Sequence, residues 1–152
     1  MFGLLKRKPK DIGGQEQWAI AQGNENNCFI LVRYRRETPR EANISKYPRL
    51  INIYWRYAPI NEKGMPESDD YERMLGLEAE LEALETPQLG FLVLSITGNS
   101  RKEWVWYVQS DQAFIHALNS QLLGKAPFPI EIEASDDKGW SKYFEFLKQT
   151  GS

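Results

Sequence analysis

From Leu50 onward the spacing of apolar residues changes in an order that leaves the chain few arrangements. Leu50 to Tyr57 is an aromatic and β-branched run typical of a strand. Ala58 to Pro66, with two prolines and Gly64, is a connection. A helix follows. Ser68 or Asp69 can cap it, and Glu67, Asp69, Asp70 and Glu72 suit the positive end of its dipole. Tyr71, Met74, Leu77, Leu81 and Leu84 recur at helical spacing, and Pro87 ends it. Gly90 to Thr97 and Arg101 to Val108 are strands joined by a turn at Gly98-Asn99-Ser100. Ser110 or Asp111 begins a second helix with Phe114, Leu118 and Leu122 as its buried stripe and Gly124 behind its end. Pro127 to Ala134 supplies a further strand. Asp136 or Asp137 caps a third helix with Trp140, Phe144 and Leu147 on one side.

Upstream, Glu16 to Ala21 and Asn27 to Arg35 are β-type runs separated by Gly23-Asn24-Glu25-Asn26, which reads as a hairpin. Arg36 to Lys46 has no hydrophobic period and reads as a surface loop. The order strand, helix, strand, strand, helix, strand is the split βαβ pattern, so the expected fold is α+β, a ferredoxin-like sheet. In that fold the N-terminal β-hairpin extends or covers the sheet and the C-terminal helix is an appendage. Residues 1–14 are expected to form a flexible basic segment and 15–150 a single domain, a usual size for a chain of 152 residues.

In this topology the first and third strands are central neighbours. They carry Tyr54, Trp55 and Tyr57 against Trp104, Trp106 and Tyr107. Alternation sets Trp55 and Tyr57 opposite Tyr54 and Arg56, and Trp104 and Trp106 opposite Val105 and Tyr107. Large rings therefore occupy both faces, while the two main helices shield only one. The other face needs the hairpin, a second copy of the chain, a protein partner or a ligand.

Charge narrows the partners. The first ten residues carry four cations (Lys6, Arg7, Lys8, Lys10) and no acid, leaving 15 basic against 21 acidic groups in the remainder. An acidic body argues against general nucleic-acid binding, which draws its affinity from phosphate neutralisation. Within it, Arg33, Arg35, Arg36, Arg40, Lys46, Arg49 and Arg56 face only Glu37 and Glu41, whereas the first helix is rich in acids, so the domain is electrically polarised. One cysteine, Cys28, and one histidine, His116, assemble neither a disulfide nor a zinc site, which fits a reducing, cytoplasmic setting. Met1 to Leu5 is too short for a signal peptide core, and no stretch approaches the roughly 20 apolar residues of a membrane span, so no membrane association is expected.

Tyr47-Pro48, Trp55 and Tyr57, Gly64-Met65-Pro66, Met74 with Glu78, Thr97-Gly98, Glu103-Trp104 with Tyr107, Pro129-Ile130, and Asp137 with Trp140 and Tyr143 occur in an order and spacing that resembles a bacterial family, domain of unknown function 695. The resemblance spans roughly Trp18 to Tyr143. Members usually look like Asp-Pro before the last Trp, whereas Lys138 follows Asp137 here. The resemblance implies a bacterial cytoplasmic protein and no assigned activity. It also implies a loose similarity in architecture to small protein regulators of ribonuclease E, and fold does not fix function.

No catalytic spacing emerges. A nucleophile–base pair would need Cys28 or a hydroxyl beside His116. Yet Cys28 starts an apolar strand and reads as a small buried hydrophobe, and His116 falls off the Phe114/Leu118 stripe. Glu131 and Glu133 share a strand face close to Asp136 and Asp137, but alternation with Ile130 and Ile132 is what a strand with one wet face shows without a cation. No catalytic residue, metal or cofactor is assigned. The expected function is a non-enzymatic protein-binding or regulatory module, a homodimer or a partner of another protein, with Tyr54, Arg56, Trp104, Trp106, Arg33 and Arg35 as binding candidates. The alternatives are a hydrolase-type enzyme with a carboxylate-lined cleft and RNA binding through the aromatic sheet; the second lacks the Arg-Gly-Phe type of signature in Arg101 to Val108.

Overall fold

The computed structural model describes residues 2–4, 10–12, 15–58 and 64–151, with side chains from residue 17 onward. Its strands are β1 Phe2–Leu4, β2 Lys10–Ile12, β3 Gln15–Glu25, β4 Cys28–Arg35, β5 Arg49–Arg56, β6 Gly90–Gly98, β7 Arg101–Val108 and β8 Ile130–Asp136. Helix α1 spans Ser68–Leu84, α2 Asp111–Leu122 and α3 Ser141–Gln149. The fold is mixed α+β: an open antiparallel sheet runs β3-β4-β6-β7-β5-β8, and β1 and β2 both pair with the outer side of β3. Phe2–Leu4 and Lys10–Ile12, read as part of a flexible tail, are thus strands; the rest of 1–14 and residues 59–63 of the expected connection lie outside the described residues. No described helix is long and apolar enough to cross a membrane.

Two asparagines set the first hairpin turn. Asn26 and Asn27 take φ of 51° and 65°, the left-handed pair that a two-residue turn matching strand twist requires. The strand therefore continues to Glu25, past the turn expected at Gly23–Asn26. Asn99 and Ser100 do the same between β6 and β7, at φ of 51° and 68°. Gly98 belongs to β6, where it pairs with Ile30 and Arg101, and only glycine fits there because β4 passes so close that a Cβ would stand 2.4 Å from the Phe29 carbonyl oxygen. β8 begins only at Ile130, since Pro127 and Pro129 have no N–H for the ladder, and it runs on to Asp136.

Each sheet face has its own core. Against α1 and α2 lie Ile51, Ile53, Trp55, Leu92, Trp104, Trp106, Val108 and Trp18, packed on Met74, Leu77, Leu81, Leu84, Phe114 and Leu118. On the opposite face, Ile30, Val32, Tyr34, Ile96, Val105 and Tyr107 meet Trp140, Tyr143, Phe146 and Leu147. This corrects the expected role of α3, which is no appendage but the cover of the second face. Its buried stripe is Tyr143, Phe146 and Leu147, with Phe144 only partly buried. Asp137 caps it by accepting from the N–H groups of Ser141 (2.9 Å) and Lys142 (3.0 Å), so the cap works without the proline that usually follows it. By contrast, the N-cap position of α1 is Glu67, with no side-chain cap hydrogen bond, in place of Ser68 or Asp69.

Candidate functional site

A helix with its side chains is about 10 Å wide and neighbouring strands are about 4.8 Å apart, so two helices cover about four strands. The sheet places six long strands side by side. The two left over on the α1/α2 face are β3 and β4, of which only Trp18, near the start of β3, joins the described core beneath those helices.

The register fixes what the strip presents. Val32 and Tyr34 face α3, so Phe29, Leu31, Arg33 and Arg35 face the strip, with Asn24, Gln22, Ile20 and Trp18 opposite them on β3. Helix α1 forms its wall. Glu85 binds Arg35 at 2.5 Å, Glu82 lies 3.8 Å from Arg33, and Glu78 lies 3.6 Å from Lys102. Lys102 pairs across the sheet with Thr97, which pairs with Leu31. Each turn of α1 toward its N-terminus thus steps along β4, and the next turns put Leu75 and Tyr71 beyond Glu78 on the same side of the helix. The far side of α1 is occupied by α2, where Glu80 accepts from Gln121 and Arg73 reaches toward Pro127.

The result is a strip that mixes apolar with polar side chains, its two arginines held against an acidic wall. Ile20 is 40% exposed, Tyr71 47% and Leu75 45%, and Phe29 and Leu31 are half-buried. Tyr71, expected in the buried stripe of α1, lies about 100° round the helix from the middle of the stripe formed by Met74, Leu77, Leu81 and Leu84, and falls on the strip side instead.

Deeper in, the polar groups are closely held. The Arg33 guanidinium stands 4.0 Å over the Trp18 ring and that of Arg35 4.8 Å from it. Arg35 also donates to the Leu92 carbonyl (2.8 Å) and to Gln17 (3.3 Å), while Glu85 accepts from the Leu92 N–H (3.0 Å). Glu78 accepts from the Trp104 indole N–H (3.0 Å), and Lys102 donates to Thr97 (3.0 Å). Burial pushes the Lys102 ammonium pKa down despite the opposing pull of Glu78. Burial likewise pushes the Glu82 carboxyl up, with Glu78 and Glu85 adding to it and Arg33 opposing. Where β4 ends, a mixed-charge cavity of about 360 Å³ opens among Arg35, Arg40, Glu41, Glu85 and Phe91.

The six residues singled out in the sequence do not form one site. Trp104 and Trp106 are fully buried beneath the helices, and Trp106 meets Phe114 at 5.0 Å. Arg33 and Arg35 line the strip. Tyr54 and Arg56 are on the opposite face, where the Arg56 guanidinium stands 5.1 Å from the Tyr54 ring. Burial and the carboxylates of Glu103 and Glu133 push the Tyr54 hydroxyl up to about 12. Beside it lies a buried network that the sequence reading missed. Glu103 accepts from Asn52 (2.7 Å) and Arg101 (3.3 Å) and lies 3.4 Å from Lys142; Arg101 reaches Glu25 (2.9 Å), which accepts from Asn99 (2.8 Å). The alternation that set Tyr107 and Val105 on one face of β7 also put Glu103 and Arg101 there, and that was the available signal.

Cys28, on β4, and His116, on the outward side of α2, are not linked by any interaction. Glu131 and Glu133 share one exposed face of β8. Among the described residues no group of three or more His, Cys, Asp or Glu is placed to hold a metal ion.

Neither a curated protein nor a solved structure matches the chain. A family model does, over residues 16–148. The residues it spans include the hairpin, α1 and α3 that shape the strip and both cores, and the chain belongs to that family of unknown function, DUF695.

Proposed function

We propose that this chain is a non-enzymatic protein-binding module that docks its partner on the strip between α1 and the β3–β4 hairpin. The observation that carries this is that Ile20 on β3 and Tyr71 and Leu75 on the strip side of α1 are large apolar side chains left exposed along the strip, where a further helix would complete the layer. Docking a protein there follows the general rule that contiguous apolar surface rimmed by polar groups marks a protein contact. The strand order β8-β5-β7-β6, with α1 and α2 as crossovers on one face, supports a ferredoxin-like split βαβ reading. Cys28, a free thiol, supports a cytoplasmic setting.

The test is site-specific photo-crosslinking in cells, with the reactive residue at position 75, at position 20, or at the outward Asn119 of α2. One protein should be captured from positions 75 and 20 and not from 119, and once purified it should bind the chain directly and lose that binding on Leu75→Glu. Equal capture from all three positions, or a purified candidate indifferent to Leu75→Glu, overturns the reading.

A further inference from the structure

The width of the strip and the charge of its wall say what fits it. Two strands are about 10 Å across, the width of one helix, and helices in a layer lie about 8–10 Å apart, so a single helix beside α1 fills the space. An extended segment is a poor occupant: the backbone groups of β3 and β4 are committed to their ladders, and a strand adds at an edge rather than on a face. Trp18 to Glu25, at about 3.3 Å per residue, gives a floor about 26 Å long, which about 17 helical residues span at 1.5 Å each. Helix α1 itself has 17 residues.

The wall sets the sign of the occupant. On the strip side and crest of α1 the charged residues are Glu72, Glu78 and Glu82, with no cation among them. Glu78 is turned inward to Lys102 and Trp104, whereas the Glu82 side chain is half exposed and meets Arg33 only at 3.8 Å. A second copy docking about a two-fold axis would set one α1 against another and bring these acids together, which costs free energy.

Resting on the binding reading above, we propose that the strip takes an amphipathic helix of a partner protein, its apolar stripe on Ile20, Leu31, Tyr71 and Leu75 and its Lys or Arg flank against Glu82 and Glu72. Recognition is then of the helix-in-groove kind, with anchors at i, i+3, i+4 and i+7.

The experiment is a display selection against the full chain, using 18-residue peptides with a fixed leucine stripe and randomised flanks. Lys and Arg are expected to enrich on one flank. Selected peptides, synthesised and labelled, should gain helical signal on binding and bind Ile20→Glu at least tenfold more weakly. Glu82→Lys should weaken basic-flanked peptides and improve acidic-flanked ones. Melting temperatures of both variants, substituted at exposed positions, show that the fold is kept. Failure of any peptide to enrich, unbiased or acidic flanks, or binding that survives Ile20→Glu each overturns the proposal. A partner captured at position 75 in that event leaves the binding reading standing without a helical occupant. A dimer in light scattering that dissolves on Leu75→Glu makes a second copy the occupant and overturns the helix proposal.

Discussion

The indole of Trp140 lies flat on the ring of Tyr107, with 4.5 Å between centroids and 9° between planes, and the Tyr107 hydroxyl donates to Asp137 at 2.7 Å. Around this stack the indole N–H of Trp140 donates to the Tyr47 carbonyl (2.9 Å), and the Tyr143 hydroxyl donates to the Arg35 carbonyl (2.8 Å). Five of the residues that mark the family resemblance thus serve one purpose, to fasten α3 over the sheet.

Acid should loosen this fastening first. Burial works against the Asp137 carboxylate, but the Tyr107 hydroxyl and the N–H groups of Lys142 and Ser141 prevail and hold its pKa below the usual aspartate value. A depressed folded pKa contributes stability above the unfolded value of about 3.9, and that stability is lost as pH falls through the folded one. Thermal melts between pH 6 and pH 2.5 should show wild type losing stability below about pH 4 more steeply than Asp137→Asn. Tyr107→Phe should cost about 1.5–3 kcal/mol at neutral pH, the usual worth of a hydrogen bond to a charged group. Parallel pH profiles for wild type and Asp137→Asn would count against the assignment.

The buried tryptophans of the helix face are expected to be structural. Trp55 and Trp104 are essentially unexposed, and Trp104 ties β7 to α1 through Glu78. Truncating either to Ala should cost about 3–5 kcal/mol. Chemical denaturation is the measurement; unchanged midpoints would remove both from the core.

The arginine-rich stretch should not bind RNA at physiological salt. Arg33 lies 3.8 Å from Glu82, Arg35 is paired with Glu85, Arg49 with Asp111 and Asp136, and Arg56 lies 3.6 Å from Glu131, so four of the seven cations that look massed in the sequence are each set beside a carboxylate in space. What field is left decays over a Debye length of about 8 Å. Anisotropy with a labelled single-stranded RNA at two salt concentrations checks this, and sub-micromolar affinity with a steep salt slope would refute it.

The two-residue period made much of the sheet legible. It set Trp104 and Trp106 opposite Val105 and Tyr107, and each group does line a different core. Helical spacing was less decisive. Tyr71 stands three residues from Met74, as a buried neighbour would, but only the position of the stripe around the helix separates the core side from the strip side, and that depends on where β4 lies. The Arg101–Glu103 network was hidden for a similar reason: alternation gives its face, while its partners Glu25, Asn52 and Lys142 come from elements distant in sequence. The role of α3 was illegible because one apolar stripe does not say which sheet face it will meet.

The strand order also governs the sequence of events by which the chain can assemble. Hairpins β3–β4 and β6–β7 join neighbours in sequence and can close early, since short loops cost little entropy. Strand β5 has no such neighbour. Its partners are β7 and β8, and its Arg49 faces Asp136 across 87 residues of chain. During synthesis, Ile51, Ile53 and Trp55 therefore emerge from the ribosome well before the strands that will flank them. The interval before β8 arrives is the period in which this chain is most exposed to aggregation and most dependent on chaperones.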